Sequence, residues 1–153
     1  MSKPELVYKV GSAFRITTRY SAGPDRTLEL DRRALQDLSE DLSNLLAGEI
    51  TITALPDCPA LCVYSERRWD VLRDQIARLP NQNPEARRVQ RLMLGHATPY
   101  QAQERLVIDG PMVEYPGLSA EMILVVFNSE NAELWTEAQL AKIAGSDSDQ
   151  GQG

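Results

Sequence analysis

Histidine, cysteine and lysine are scarce in this chain, and each shortage removes a class of chemistry. The single histidine, His96, lies on an apolar stripe. A satisfied core histidine is preferred there over a ligand or base, and without a second histidine a hydrolytic triad of the usual form is not expected. The two cysteines, Cys58 and Cys62, stand in a C-x3-C spacing. A tetrahedral zinc site would need carboxylates or a second subunit to complete it. Two reduced, partly buried thiols in a cytoplasmic protein are the preferred reading. Gly23-Pro24 and Gly110-Pro111 read as turns, and no glycine-rich phosphate loop is present. No apolar run approaches the length of a membrane span, so no membrane partner is expected. Met1-Ser2-Lys3-Pro4-Glu5 has no apolar segment behind its lysine, which argues against a secretory signal. Neither an enzyme nor a metal or cofactor is expected.

Arginine, by contrast, is abundant: 13 residues against 3 lysines. Its planar fork suits bidentate contact with phosphate or guanine better than an ammonium does. The net charge is −6 and the pI about 4.8, which counts against a nucleic-acid partner. The charge is uneven, however. From Glu66 to Arg91 seven arginines stand against four acids, whereas from Glu130 onward five acids stand against one lysine. Such asymmetry can build a basic face on an acidic protein.

The chain also echoes itself. Leu28-Glu29-Leu30-Asp31 is matched by Leu106-Val107-Ile108-Asp109, Glu49-Ile50-Thr51-Ile52 by Glu121-Met122-Ile123-Leu124, and Leu61-Cys62-Val63-Tyr64-Ser65-Glu66 by Ala132-Glu133-Leu134-Trp135-Thr136-Glu137. An internal repeat constrains the whole fold. One unit of this size is too small to bury a core alone, so two halves must intertwine or pack together.

The local patterns give an element order. Residues 14–20 alternate weakly, with Arg15, Thr17 and Arg19 on one side. Ala22-Gly23-Pro24-Asp25 turns the chain into a strand at 27–30, and the two strands should form a hairpin. Asp31 caps one long helix carrying Leu35, Leu38, Leu42, Leu45 and Leu46, ended by Gly48. Ile50, Ile52 and Ala54 alternate with threonines as a strand, followed by a strand at 61–64. Ser65 caps a helix with Trp69, Leu72, Ile76 and Leu79 on its buried face. Asn83-Pro84-Glu85 starts a linking helix, with Val89, Leu92, Met93 and His96 on one stripe and Arg87, Arg88 and Arg91 off it. The second half repeats the plan, with a return strand at 106–108, a hairpin around residues 128–131, and Thr136 capping a short helix with Leu140 and Ile143. Residues 145–153 are polar and are expected to be a disordered tail. The division is an extension (1–13), a first half (14–80), a linking helix (81–97), a second half (98–144) and the tail. Trp69 and Trp135 are expected at similar places in the two halves.

The string Asn83-Pro84-Glu85-Ala86-Arg87-Arg88-Val89-Gln90-Arg91-Leu92-Met93-Leu94-Gly95-His96-Ala97 resembles the central helix of the MraZ family, bacterial regulators of division and cell-wall genes. Tyr115-Pro116-Gly117-Leu118-Ser119-Ala120-Glu121-Met122-Ile123-Leu124-Val125 resembles its YAGL-x-x-E-V-x-L-V segment. Glu133-Leu134-Trp135 resembles its E-[IL]-W strand, and Tyr64-Ser65 with Trp69 its LYP-x-x-x-W. The resemblance covers residues 14–143 and is strongest over 61–137. It implies an α+β, mainly β fold: tandem AbrB-like swapped-hairpin units forming a double-split β-barrel, with helices outside. It also implies ring-like homo-oligomers.

The family's DNA-contacting motif is Asp-x-x-x-Arg, once per half. Here the second copy reads Gln101 to Arg105. The first places Gly23 and Thr27 in those roles, with Arg26 one residue earlier; an alternative register uses Gly11 and Arg15. The echo of Leu28 with Leu106 favours the former. A loop aspartate would bond local amides and hold the arginine, so its loss need not remove the cation. Glu104, beside Arg105, would repel phosphate.

The resemblance therefore implies DNA contact through Arg105 and Arg26, with Arg15 and Arg19 as further candidates, although charges along a strand edge commonly serve only to blunt it. Arg87, Arg88 and Arg91 are read as a solvated or subunit-contacting helix face. The implied function is a sequence-specific transcriptional regulator, cytoplasmic and nucleoid-associated, binding promoter repeats on double-stranded DNA. The rival is a degenerate MraZ-like oligomeric interaction module that no longer binds DNA. An antitoxin-like role is disfavoured because the acidic tail lacks apolar anchors.

Overall fold

The computed structural model describes residues 12–21, 27–55, 60–101, 105–109, 121–136, 138, 139 and 141. The turn at 22–25, Arg26, Cys58, Glu104, most of the extension, residues 110–120, Leu140, Ile143 and the polar tail lie outside them. The described strands lie in two sheets and close into no barrel. One has three strands: β2 (Arg19–Ser21), β3 (Thr27–Asp31) and β7 (Arg105–Asp109), in the order β2-β3-β7. The other has six: β1 (Ser12–Thr17), β8 (Glu121–Asn128), β9 (Asn131–Thr136), β5 (Ala60–Ser65), β4 (Ile50–Ala54) and β6 (Thr98–Tyr100), in that spatial order.

Exchange between the early and late parts of the chain organises both sheets. β1 pairs with β8, β6 with β4, β5 with β9, and β3 with β7, all antiparallel. Leu28 faces Ile108 while Leu30 faces Leu106, with Glu29 and Val107 opposite each other. Leu61 faces Leu134 while Val63 faces Ala132, with Cys62 and Glu133 between them. A two-fold exchange of the echoed segments would require these registers. The hairpin expected from residues 14–20 and 27–30 forms only in part. The strand breaks at Thr18, leaving β2 against β3 and sending β1 to the other sheet. The break lets Ile16 reach the large-sheet core, and a single straight strand could not serve both sheets.

Apolar residues fill the space between the sheets. Leu28, Leu30, Leu106 and Ile108 meet Ile16, Ile50, Ile52, Leu61, Val63, Met122, Leu124 and Leu134 in one cluster. Burying each such side chain contributes about 1.5–3 kcal/mol. Two short helices, α1 (Arg32–Gln36) and α2 (Glu40–Leu45), cap this core. They replace the single helix expected from Asp31 to Gly48. Ser39 Oγ accepts from Leu42 N at 3.1 Å and starts a second helix, and Leu38 is left exposed. The break lets Leu35, Leu42, Leu45 and Leu46 all turn inward. Arg32 Nη1 donates to Leu46 O at 2.8 Å, satisfying a carbonyl at the end of α2.

Two longer helices, α3 (Glu66–Ala77) and α4 (Pro84–His96), cover the other side of the six-stranded sheet. Both start where their caps indicate: Ser65 Oγ accepts from Arg68 N, and Asn83 Oδ1 from Glu85 N. All five residues of β4 are buried, the threonines as well as the isoleucines. Thr53, fully enclosed, donates to Met93 O at 2.6 Å. The threonines thus lie beneath α4, with isoleucines on the core side. Tyr64 stacks on Trp69 with ring centroids 6.0 Å apart. Trp69 belongs to α3 and Trp135 to β9, so the two indoles do not hold matching places. Among the described residues no helix is long and apolar enough to cross a membrane.

Candidate nucleic-acid interface

Alternation along the three-stranded sheet sends its leucines to the core and its charges outward. The outer side carries Arg19 on β2, Glu29 and Asp31 on β3, and Arg105 and Val107 on β7. Arg19 stands directly across from Glu29, and Arg105 across from Asp31. Arg105 Nη1 lies 3.1 Å from Glu29 Oε1, a diagonal cross-strand ion pair. Asp31 is committed elsewhere: its Oδ1 accepts from Ala34 N at 3.2 Å and caps α1. A cleft of about 270 Å³ is lined by Thr17, Thr18, Arg19, Glu29, Asp31 and Arg105. Its two guanidinium groups and two carboxylates balance, so its own charges create little attraction for phosphate.

The structure thus brings Arg19 and Arg105 to one face and sends Arg15, Arg87, Arg88 and Arg91 elsewhere. The break at Thr18 separates Arg15 from Arg19, so the two do not form one strand-edge pair. Arg15 stands on β1 opposite Ile123, which faces Trp135, on the side of the six-stranded sheet turned away from the core. Arg87 and Arg91 are exposed on α4. Arg88 pairs with Glu85 one turn earlier at 3.2 Å. The large sheet and the core separate α4 from the outer face of the small sheet. Arg26 lies outside the described residues. The strand paired with β7 is Thr27–Asp31, the return strand of the register that sets Gly23 and Thr27 in the motif positions. Residues 14–17 of the alternative register pair with β8 instead.

Glu29 was missed in the sequence. Period-two alternation between Leu28 and Leu30 already turns it outward. Its meeting with Arg105 depends on the β3–β7 register, which joins segments more than 70 residues apart.

A second polar cluster lies on the other side of the large sheet. Cys62 and Glu133 face each other across β5 and β9, and Trp135 Nε1 donates to Glu133 Oε1 at 3.0 Å. Burial raises the Glu133 carboxyl above its ordinary value, and the indole N–H partly opposes this. Burial also pushes the Tyr64 hydroxyl far up, and neighbouring Cys62 and Glu133 add to the effect. His96 Nδ1 lies 2.8 Å from Leu92 O, one turn back on α4, so this nitrogen carries the proton as donor.

No protein-family model matches the chain. Curated relatives do. The chain is 35% identical over 104 residues to the protein named Transcriptional regulator MraZ of Alkalilimnicola ehrlichii, covering 64% of this chain and 69% of that one. It is 34% identical over 127 residues to the proteins of the same name in Yersinia pestis and Yersinia pseudotuberculosis, covering 81% of this chain and 80% of theirs. Similarity of this extent assigns the chain to the MraZ family.

Proposed function

We propose that the chain is a DNA-binding transcriptional regulator that meets the duplex with the outer face of its three-stranded sheet. The observation that carries this reading is the placement of Arg19 and Arg105 together on a solvent-facing sheet surface, in a chain whose relatives are named transcriptional regulators. In finer form, the segments before and after α4 (14–80 and 98–144) are tandem AbrB-like units built on exchanged strands. The chain acts as a ring-like homo-oligomer, in the cytoplasm at the nucleoid, on repeated promoter sites of division and cell-wall genes. A near-neutral face supports only weak contact per subunit, so useful affinity requires several subunits on successive repeats of one duplex.

Arg105→Ala tests the reading. Its loss removes at most one duplex contact per subunit, and a lost phosphate contact lowers the salt slope by about 0.9. Repeated over several subunits, this greatly weakens or abolishes promoter binding while the melting temperature and oligomeric state stay unchanged. Unchanged gel shifts across a salt titration remove Arg105 from the interface.

One observation favours a second reading, an oligomeric interaction module without DNA affinity: Arg105 is already paired with Glu29, on a chain of net charge −6. Such a module binds no duplex even at the lowest salt.

A further inference from the structure

We infer that Glu29 is a positioning residue that aims Arg105 at a base edge, supplying from the other sheet strand the carboxylate that position 101 lacks. The inference rests on the DNA-binding reading above. Within its own loop, Arg105 has Gln101 where the family motif has aspartate, so no acid at that position can hold the guanidinium. The carboxylate that does hold it comes from β3, across the sheet, at 3.1 Å.

The geometry distinguishes positioning from simple masking. The Glu29 side chain is 24% exposed and that of Arg105 65%. The acid thus lies lower on the sheet, and an approaching duplex meets the arginine first. The pair engages Nη1, while a guanidinium has five N–H donors in a rigid fork. Donors therefore remain for a bidentate contact, and that geometry matches guanine O6 and N7. Pairing also neutralises the local charge, which weakens non-specific attraction to phosphate while leaving the directional hydrogen bonds intact. Arg19, across from Glu29 on β2, places a second cation beside the same carboxylate. Asp31, across from Arg105, spends Oδ1 on capping α1. The equivalent place on β7 is Val107, and the place equivalent to Arg105 is Thr27, so within the echoed pairing this buttress occurs on one side only.

The test compares wild type, Glu29→Gln, Glu29→Ala and Glu29→Asp on two duplexes: one enriched by the wild-type chain from a random-sequence pool, and a shuffled duplex of the same composition. Circular dichroism checks that each variant stays folded. Positioning predicts that Glu29→Gln and Glu29→Ala weaken binding to the enriched duplex by at least about fivefold, the range for one bidentate base contact. Binding to the shuffled duplex strengthens in the same variants, because a negative charge has gone, and the salt dependence of both becomes steeper. Glu29→Asp, which keeps the charge, retains part of the discrimination. If both duplexes bind more tightly together, Glu29 is only an electrostatic screen and the inference fails. Equal weakening on both, or no change on either, also overturns it while leaving the regulator reading standing. If the wild-type chain enriches no duplex and binds none at low salt, the regulator reading falls and takes this inference with it.

Discussion

The contact between Thr53 and Met93 gives the sharpest test of how α4 is fastened to the sheet. Thr53 is fully enclosed on β4, and its Oγ1 donates to Met93 O at 2.6 Å. Met93 lies in the last four residues of α4, where carbonyls have no partner within the helix. Thr53→Val keeps nearly the same volume, removes the donor and leaves that carbonyl facing an apolar surface. A buried polar group left unsatisfied costs about 1–3 kcal/mol. In a chain of this size each kcal/mol lowers the melting temperature by roughly 2–4 °C, so a fall of about 2–12 °C is expected. Thr53→Ser makes the complementary change, keeping the hydroxyl and losing a methyl group, at about 0.5–1.5 kcal/mol by analogy with removing one methylene. Differential scanning calorimetry on the three proteins checks the order: wild type, then serine, then valine. A valine variant as stable as wild type would refute the reasoning, because it would show that the helix end is satisfied without the threonine.

Other consequences of the structure are equally open to measurement. Glu133 has a raised carboxyl pKa from burial, so the folded chain holds its proton more tightly than the unfolded chain does. Its contribution is present below the ordinary carboxylate range and is lost as pH rises through the raised folded value. Glu133→Gln, which keeps an oxygen for the Trp135 indole, should therefore melt higher than wild type at neutral pH, with the difference shrinking on acidification; a pH-independent difference would contradict the assignment. Ser65→Ala removes the N-cap of α3 and should cost about 0.5–2 kcal/mol in urea unfolding, with no change in m-value. Fragments 1–80 and 81–153 should each lack a cooperative melt, because β3, β4 and β5 of the first all depend on strands of the second. Their mixture should recover a cooperative transition, and a cooperative melt by either fragment alone would rule out dependence on exchanged strands.

Much of the local structure was legible in the residues. Ser65 and Asn83 mark the starts of α3 and α4 because a cap needs only a side-chain oxygen and the next few amides. Strands β5, β7, β8 and β9 follow from alternation and turn residues for the same reason. The long helix expected from Asp31 to Gly48 failed because leucine spacing cannot show that Ser39 will start a new helix. That β4 is buried on both sides was not legible, because a threonine that donates to a helix carbonyl looks the same in sequence as one facing water.

The sequence by itself determined the short elements, their caps, the arginine-rich composition and the resemblance that leads to the MraZ family. It also turned Leu28 and Leu30 to one side of β3 and Glu29 to the other, since period two depends only on neighbouring residues. Only the tertiary structure decided that the chain bends at Thr18, that Arg15 and Arg19 part company there, and that Glu29 meets Arg105. The physical reason is that strand exchange joins residues far apart along the chain. A contact such as Glu29 with Arg105 is specified by the register of two distant strands, and no local pattern encodes that register.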